Sequence, residues 1–132
     1  MRIFVSQLNP IIGDLEGNTK KILYALEQAR LSNAELVLFS ELILSGYPPE
    51  DLLLQRTFIE AHSYYLEQII EASSGLIVIL GLVRQNKGKA EKSLINSAAV
   101  IYDRKLVGFQ DKQLLPTYDV FDERRYFEPG SK

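Results

Sequence analysis

The most uniformly apolar run of the chain is Leu76–Val83, and it limits the folds that the chain can adopt. The run reads Leu-Ile-Val-Ile-Leu-Gly-Leu-Val, which has the length and the β-branched content of a strand. A strand that is apolar on both faces is typical of a sheet with helices packed against it. We therefore expect Leu76–Val83 to be a central strand that is covered on both faces.

A strand, a helix and a second strand precede this run. Arg2–Leu8 is rich in β-forming residues, and Leu36–Phe39 is a short, continuously apolar strand. Between them, Thr19–Leu31 carries apolar residues at helical spacing, with Gly17 or Asn18 as the expected N-cap. This order predicts a βαβ unit, and so an α/β fold.

The remaining elements extend the same sheet. Thr57–Ala72 has an apolar stripe at helical spacing and is predicted to be a second helix. Leu94–Tyr102 and Leu106–Phe109 are predicted strands, joined by a tight turn at 103–105. The polar segment Arg84–Lys92 is expected to be an exposed basic loop. We also expect both helices to pack on one face of the sheet.

Composition excludes several classes of function. The 132 residues are 46% hydrophobic, which is enough for the core of one domain. With 15 basic and 17 acidic residues, the chain has no excess of positive charge for nucleic acid or anionic lipid. It has no cysteine and one histidine, so no disulfide, thiolate metal site or histidine metal pair is predicted. We expect a soluble, cytoplasmic protein without a nucleic-acid or membrane partner.

Glu41 is an ionisable residue among apolar neighbours, just after the second predicted strand. Burial disfavours the charged form of a carboxylate, and a carboxylate in that position suits a general base or acid. Gly46 and the Pro48-Pro49 pair then mark a turn. The alternative is that Glu41 only accepts hydrogen bonds from nearby loop amides.

A second unusual stretch follows the last predicted strand. Lys112 stands just past the strand end, where a lysine is usually solvated. Beyond it, aromatic residues alternate with charged ones over 118–127, a mixture typical of a polar pocket. Glycines are isolated along the chain, so no glycine-rich phosphate loop is predicted.

Together the two stretches resemble the nitrilase-like carbon–nitrogen hydrolases. The resemblance rests on residues 39–42 (Phe-Ser-Glu-Leu) with Gly46-Tyr47, and on residues 112–118 (Lys-Gln-Leu-Leu-Pro-Thr-Tyr). Residues 46–52 and 118–127 resemble one branch of that family, the amino-terminal glutaminase domains of glutamine-dependent NAD synthetases. The resemblance covers essentially the whole chain.

The resemblance implies a role for each of five residues. The family uses a Glu-Lys-Cys triad, in which Glu41 matches the general base and Lys112 matches the lysine that stabilises the oxyanion. Tyr118 matches a tyrosine that contacts glutamine, and Phe121 matches an aromatic wall of the substrate pocket. Glu123 matches a second acidic residue that orients the lysine, and it is counted here with the substrate pocket.

The resemblance also implies a fold and an incomplete domain. The family folds as a four-layer αββα sandwich of about twice this length, so residues 1–132 are expected to form its amino-terminal half. They are read as a partial carbon–nitrogen hydrolase (glutaminase) domain that ends before the nucleophilic cysteine. No cofactor is expected in this part. The longer protein would use ATP and Mg in a synthetase domain, take glutamine as substrate and form a homo-oligomer.

Two other functions remain open at this point. The chain could belong to a nitrilase-like amidase that acts on another amide or carbamoyl group. It could also be a non-catalytic fragment or paralogue that only binds a partner, because the nucleophile is missing from these residues.

Overall fold

The computed structural model describes residues 1–86, 94–117 and 123–131 and contains one five-stranded sheet. The strands are β1 (Ile3–Val5), β2 (Leu36–Leu38), β3 (Ile77–Gln85), β4 (Leu94–Tyr102) and β5 (Lys105–Asp111). They lie in the order β1-β2-β3-β4-β5, with the first three parallel and the last two added antiparallel. The predicted α/β class and the side-by-side packing of the first three strands are confirmed.

Two helices, α1 (Leu15–Leu31) and α2 (Arg56–Glu71), pack on the same face of the sheet. Their fully buried side chains form one core with the sheet residues on that face, as the helical spacing predicted. The main contributors are Ile22, Leu26, Ile69, Val37, Val78 and Leu80. Within the described ranges, no helix is long and apolar enough to cross a membrane.

The opposite face of the sheet is largely open, and the expectation that β3 is covered on both faces is wrong over part of its length. Ile77 and Ile79 are only half-buried, because no described element packs over them. On the neighbouring strands, Val5 is 62% exposed and Leu38 is 38% exposed. We call this the open face; it is apolar and bounded at one end by polar residues.

The first helix starts earlier than the sequence predicted. It begins at Leu15 rather than Thr19, and its N-cap is Asp14, whose carboxylate accepts a hydrogen bond from Gly17 N at 2.9 Å. Asn18, one of the two expected caps, lies inside the helix, where it is buried. Its side chain is used instead to bind two loops.

The end of β3 also differs from the prediction. Arg84, assigned to an exposed loop, lies in β3, is half-buried and pairs with Asp111 of β5. Residues 87–93, the rest of that predicted loop, lie outside the described residues. The tight turn between β4 and β5 is confirmed: Asp103 and Arg104 have φ values of 44° and 66°, and the flanking residues pair directly.

Candidate active site

Glu41 lies in a turn that leaves β2 and passes against β3. Phe39 N donates to Ile79 O at 2.9 Å, and Gly81 N donates to Ser40 O at 3.3 Å. These two hydrogen bonds continue the pairing of β2 with β3 for a short distance before the chain turns. The turn therefore carries Glu41 from the end of β2 across the open face.

Gly81 is what lets this turn lie so close to the sheet. A Cβ atom on Gly81 would be 2.7 Å from Glu41 Cα and would also meet the main-chain nitrogen of Leu42. Heavy atoms do not approach that closely, so a side chain here would push the turn away. In the sequence Gly81 is one of several isolated glycines, and this role was not predicted. The available signal was a glycine inside an otherwise apolar strand.

The rest of the turn is buried and hydrogen-bonded. Leu42 and Leu44 are fully buried, and Gly46 N donates to Leu42 O at 2.9 Å. The side chain of Asn18 donates to Leu44 O, also at 2.9 Å. Glu41 thus projects from a turn that is fixed to both the core and α1.

Lys112 meets Glu41 from the other side of the site. Its main-chain nitrogen donates to Asn96 O at 2.8 Å, which extends the pairing of β4 with β5 by one residue. Its ammonium group lies 2.8 Å from Glu41 Oε1 and 3.0 Å from Glu123 Oε1. Glu41 and Lys112, which the family resemblance assigns to one triad, therefore lie together. The strands that precede them, β2 and β5, are not neighbours, because β3 and β4 lie between them.

Glu123 is the buried carboxylate of the site. It stands at the start of a short 3₁₀ turn, Glu123–Arg125, and is 5% exposed. Its Oε1 accepts a hydrogen bond from the Tyr47 hydroxyl at 2.8 Å in addition to the contact with Lys112. Within the described part of the chain, its Oε2 is buried without a hydrogen-bond partner. The contact with Lys112 is the one that the family resemblance implied.

The two carboxylates keep Lys112 positively charged. Burial lowers the pKa of Lys112, but the hydrogen bonds and negative charges of Glu41 and Glu123 outweigh it and raise the pKa above its ordinary value. An ammonium group with a raised pKa is a poor base. It is well suited to stabilise negative charge that develops nearby.

The expected burial of Glu41 is wrong. Its side chain is 46% exposed, because the open face has no covering element at this point among the described residues. The residue that sequence reasoning missed here is Asn96, which is 3% exposed and donates from Nδ2 to Glu41 Oε1 at 2.6 Å. The available signal was a single asparagine near the start of the apolar strand β4.

A groove of about 300 Å³ runs along this side of the sheet, and Glu41, Asn96 and Lys112 line it. A second cavity of about 310 Å³ lies on the side of Glu123, between Tyr47 and Tyr126. The predicted substrate residues Tyr118 and Phe121 fall outside the described residues. Among residues 1–86, 94–117 and 123–131, no group of three or more metal-ligating side chains is arranged to hold a metal ion.

This arrangement combines a proton acceptor with a fixed cation. An exposed carboxylate oxygen can take a proton from a group in the groove, and the ammonium can stabilise an oxyanion next to it. A covalent route needs a nucleophile as well, and the chain contains no cysteine.

Comparison with known sequences identifies a family and several relatives of the chain. The family described as carbon-nitrogen hydrolase matches residues 2–132. The glutamine-dependent NAD(+) synthetase of Thermotoga maritima is 40% identical over 134 residues, covering 100% of this chain and 22% of that protein. The corresponding enzyme of Synechocystis sp. is 43% identical, covering 98% of this chain and 24% of that protein.

Solved structures agree with the sequence relatives. A glutamine-dependent NAD(+) synthetase from Cytophaga hutchinsonii superposes with a TM-score of 0.92 at 30% identity, over 100% of this chain and 22% of that one. An amidase from Nesterenkonia sp. has a TM-score of 0.77 at 22% identity, over 100% of this chain and 49% of that one, which shows the shared fold alone. The chain thus spans less than a quarter of the synthetases cited and about half of the amidase. The family that the two motifs predicted is confirmed: the chain belongs to the carbon–nitrogen hydrolases, has a nitrilase-superfamily fold and is homologous to the amino-terminal region of glutamine-dependent NAD synthetases.

Proposed function

We propose that this chain is part of a domain that hydrolyses the side-chain amide of glutamine and supplies ammonia to a glutamine-dependent NAD synthetase. The observation that carries the proposal is the pair formed by Glu41 and Lys112, 2.8 Å apart in an open groove. The relatives that cover the whole chain add the choice of substrate. The domain would be completed by residues beyond 132, which would also contribute the nucleophilic cysteine.

Glu41 would act as the base for that cysteine. It takes the thiol proton, the thiolate attacks the amide carbon, and the resulting oxyanion lies beside Lys112. When the tetrahedral intermediate collapses, Glu41 returns the proton to the leaving nitrogen and ammonia departs, leaving a glutamyl thioester. Glu41 then takes a proton from water as the water attacks the thioester, and the thiolate regains that proton as glutamate leaves.

Lys112 would stabilise the oxyanion in both halves of this cycle. Its charge is supported by two carboxylates, of which Glu123 is buried and Glu41 is exposed to the groove. Because Glu123 remains paired with Lys112 when Glu41 takes up a proton, the ammonium keeps a counter-ion throughout the reaction. The continued pairing of buried Glu123 with Lys112 supports the expected role of Glu123 as the residue that orients Lys112.

The other expectations stay proposals. Tyr118 and Phe121 are proposed to contact glutamine on the strength of the family resemblance. ATP and Mg would be bound by the synthetase region, which lies beyond the residues of this chain. A cytoplasmic location and a homo-oligomeric assembly are also proposed for the longer protein.

The test is ammonia release by the longer polypeptide that carries this chain and continues to the cysteine. It should release ammonia from glutamine in preference to asparagine and acetamide. Glu41→Gln should lower turnover at least about a hundredfold, the scale of a lost general base. Glu16→Gln is a matched control, because Glu16 is a solvent-exposed residue of α1 whose ion-pair partner among the described residues is Lys20. The 132-residue chain alone should release no ammonia above a buffer blank.

Three results would contradict the proposal, each in its own way. Full turnover by Glu41→Gln would remove Glu41 as the base. A strong preference for another amide would establish the runner-up, an amidase of different specificity. If the longer polypeptide folds and hydrolyses none of these amides, a binding role without catalysis replaces the enzyme.

A further inference from the structure

Asn96 is a buried amide placed next to the two charged residues of the groove. It lies in β4, is 3% exposed, and is flanked in the sequence by Ile95, which is also buried. Buried side-chain amides in folded proteins are hydrogen-bonded, so the partners of such a group indicate what it does. The side-chain amide of Asn96 contacts Glu41, and its main-chain carbonyl contacts Lys112; these are the two residues proposed to carry the chemistry.

Asn96 binds each of them through a different part of the residue. Its main-chain carbonyl accepts from Lys112 N at 2.8 Å, which fixes the start of the lysine. Its side-chain Nδ2 donates to Glu41 Oε1 at 2.6 Å. Because a carboxylate can only accept, the NH₂ group and not the amide oxygen of Asn96 must face Glu41. One residue of a central strand therefore sets the positions of both charged groups.

The two donors to Glu41 converge on the same oxygen. Oε1 accepts from Asn96 Nδ2 and from Lys112 Nζ. Within the described ranges, no donor reaches Oε2, and the side chain is 46% exposed. Oε1 is therefore occupied by two donors, whereas Oε2 is left for a group that enters the groove.

We propose that Asn96 is a positioning residue that, together with Lys112, occupies Oε1 of Glu41 and so directs Oε2 into the groove as the proton acceptor. The inference rests on the proposed function, since it concerns the proton transfer of that reaction. Lys112 alone does not fix the carboxylate, because its ammonium group divides its contacts between Glu41 and Glu123. Asn96 supplies a second, short and rigidly held contact.

Two substitutions in the longer polypeptide test the proposal. Asn96→Leu keeps the approximate volume and removes the donor. Asn96→Asp keeps the shape and adds a third carboxylate beside Lys112. Both should lower kcat by about ten- to a hundredfold, the scale that a displacement of a reacting group by about 1 Å can cause. The KM for glutamine should stay within about threefold, because Asn96 is proposed to act on the base and not on the substrate.

The matched control is Ser73→Ala. Ser73 is also fully buried and hydrogen-bonded, but it lies where α2 ends and contacts the β4–β5 turn through Arg104. Its loss should reduce stability and leave kcat unchanged. A loss of kcat in Ser73→Ala equal to that in the Asn96 variants would mean that general destabilisation explains both, and it would overturn the proposal.

A spectroscopic readout in the 132-residue chain separates contact from folding. One side-chain amide proton of Asn96 should resonate downfield of ordinary asparagine amides and return to the ordinary position in Glu41→Ala. If Asn96→Leu does not fold, the kcat of Asn96→Asp and the chemical shift of the Asn96 amide proton test the inference instead. An unshifted signal, or full kcat in a folded Asn96 variant, overturns the inference. Absence of glutaminase activity in the unsubstituted longer polypeptide would instead refute the proposed function.

Discussion

Asp111, the last residue of β5, and Lys112, which follows it, place two charged clusters on opposite faces of the sheet. Asp111 points to the helix side, where it meets Arg84 and Ser97; we call these three the helix-face cluster. Lys112 points to the open face, where it meets Glu41 and Glu123; these form the open-face cluster. The separation follows from the alternation of side chains along a strand.

The helix-face cluster satisfies its carboxylate completely. Arg84 donates from two nitrogens to the two oxygens of Asp111, at 2.9 and 2.5 Å, and the Ser97 hydroxyl donates to the same carboxylate. The guanidinium also lies over the ring of Phe109. Such a two-point pair is geometrically fixed and leaves no oxygen of Asp111 without a donor.

The open-face cluster leaves one carboxylate oxygen without a donor among the described residues. Glu41 is three times as exposed as Asp111, at 46% against 15% of the side chain, and only its Oε1 is bonded. Two clusters of a cation with a carboxylate, built on adjacent residues, thus differ in how fully the carboxylate is hydrogen-bonded. A fully satisfied pair supports the structure, whereas a pair with a free, exposed oxygen can also transfer a proton.

The largest expected difference between the clusters is in activity. In the longer polypeptide, Lys112→Met should lower glutamine turnover at least about a hundredfold, because the proposed oxyanion donor is lost. Arg84→Met removes a cation of similar length from the other face and should stay within about threefold. The measurement is ammonia release at saturating glutamine, normalised to folded protein. Equal losses in the two variants would contradict the division between the faces.

The second-largest expected difference is in stability, when Asp111 of the helix-face cluster is compared with Glu41 of the open-face cluster. In the 132-residue chain, Asp111→Asn should lower the free energy of unfolding by about 1–3 kcal/mol, because it weakens the half-buried Arg84 pair. Glu41→Gln should change it by no more than about 0.5 kcal/mol, since Lys112 keeps Glu123 and Glu41 is largely solvated. Urea denaturation of both variants gives the comparison. If Glu41→Gln lowers the free energy of unfolding more than Asp111→Asn does, the open-face cluster and not the helix-face cluster is the one that stabilises the fold.

The smallest difference is in pH dependence. Burial raises the pKa of Asp111, but hydrogen bonds from Arg84 and Ser97 outweigh it and lower the pKa below the ordinary 3.8. The stabilisation by Asp111 is therefore complete above pH 3.8 and is lost as the pH falls through the lower, folded-state value. The stabilisation by Lys112, whose pKa is raised, is complete below the ordinary 10.5 and is lost as the pH rises through the folded-state value.

Denaturation at a series of pH values checks this opposition. The stability difference between the unsubstituted chain and Asp111→Asn should shrink on the acid side only. The difference for Lys112→Met should shrink on the alkaline side. A difference that does not change with pH would show that neither charge is stabilised by its cluster.

Local patterns were sufficient to predict the elements of the fold. The apolar run Leu76–Val83 predicted a central strand, and β3 lies in the middle of the sheet. The spacing of apolar residues predicted both helices on one face. The two motifs then predicted Glu41 and Lys112 as a pair, which the geometry brings together.

What depends on distant partners could not be predicted. Arg84 resembled the start of a loop because a polar residue at a strand end and one in a loop look alike until Asp111 is seen beside it. Asn96 and Glu41 are 55 positions apart in the sequence, and no local pattern predicts the hydrogen bond between them. The burial of Glu41 was predicted wrongly because it depends on what covers the open face.

Gly81 has a consequence for attempts to make such a chain more robust. Glycine in the interior of a strand is unfavourable, and β-branched residues are preferred there, so a scan for stabilising changes would select Gly81→Val early. The added side chain would occupy the space now taken by the main chain of Glu41 and Leu42. Moving that turn would disturb its buried residues Leu42 and Leu44 as well as the proposed proton acceptor. Strand propensity alone therefore misjudges this position, and Gly81→Val should lower stability and turnover together.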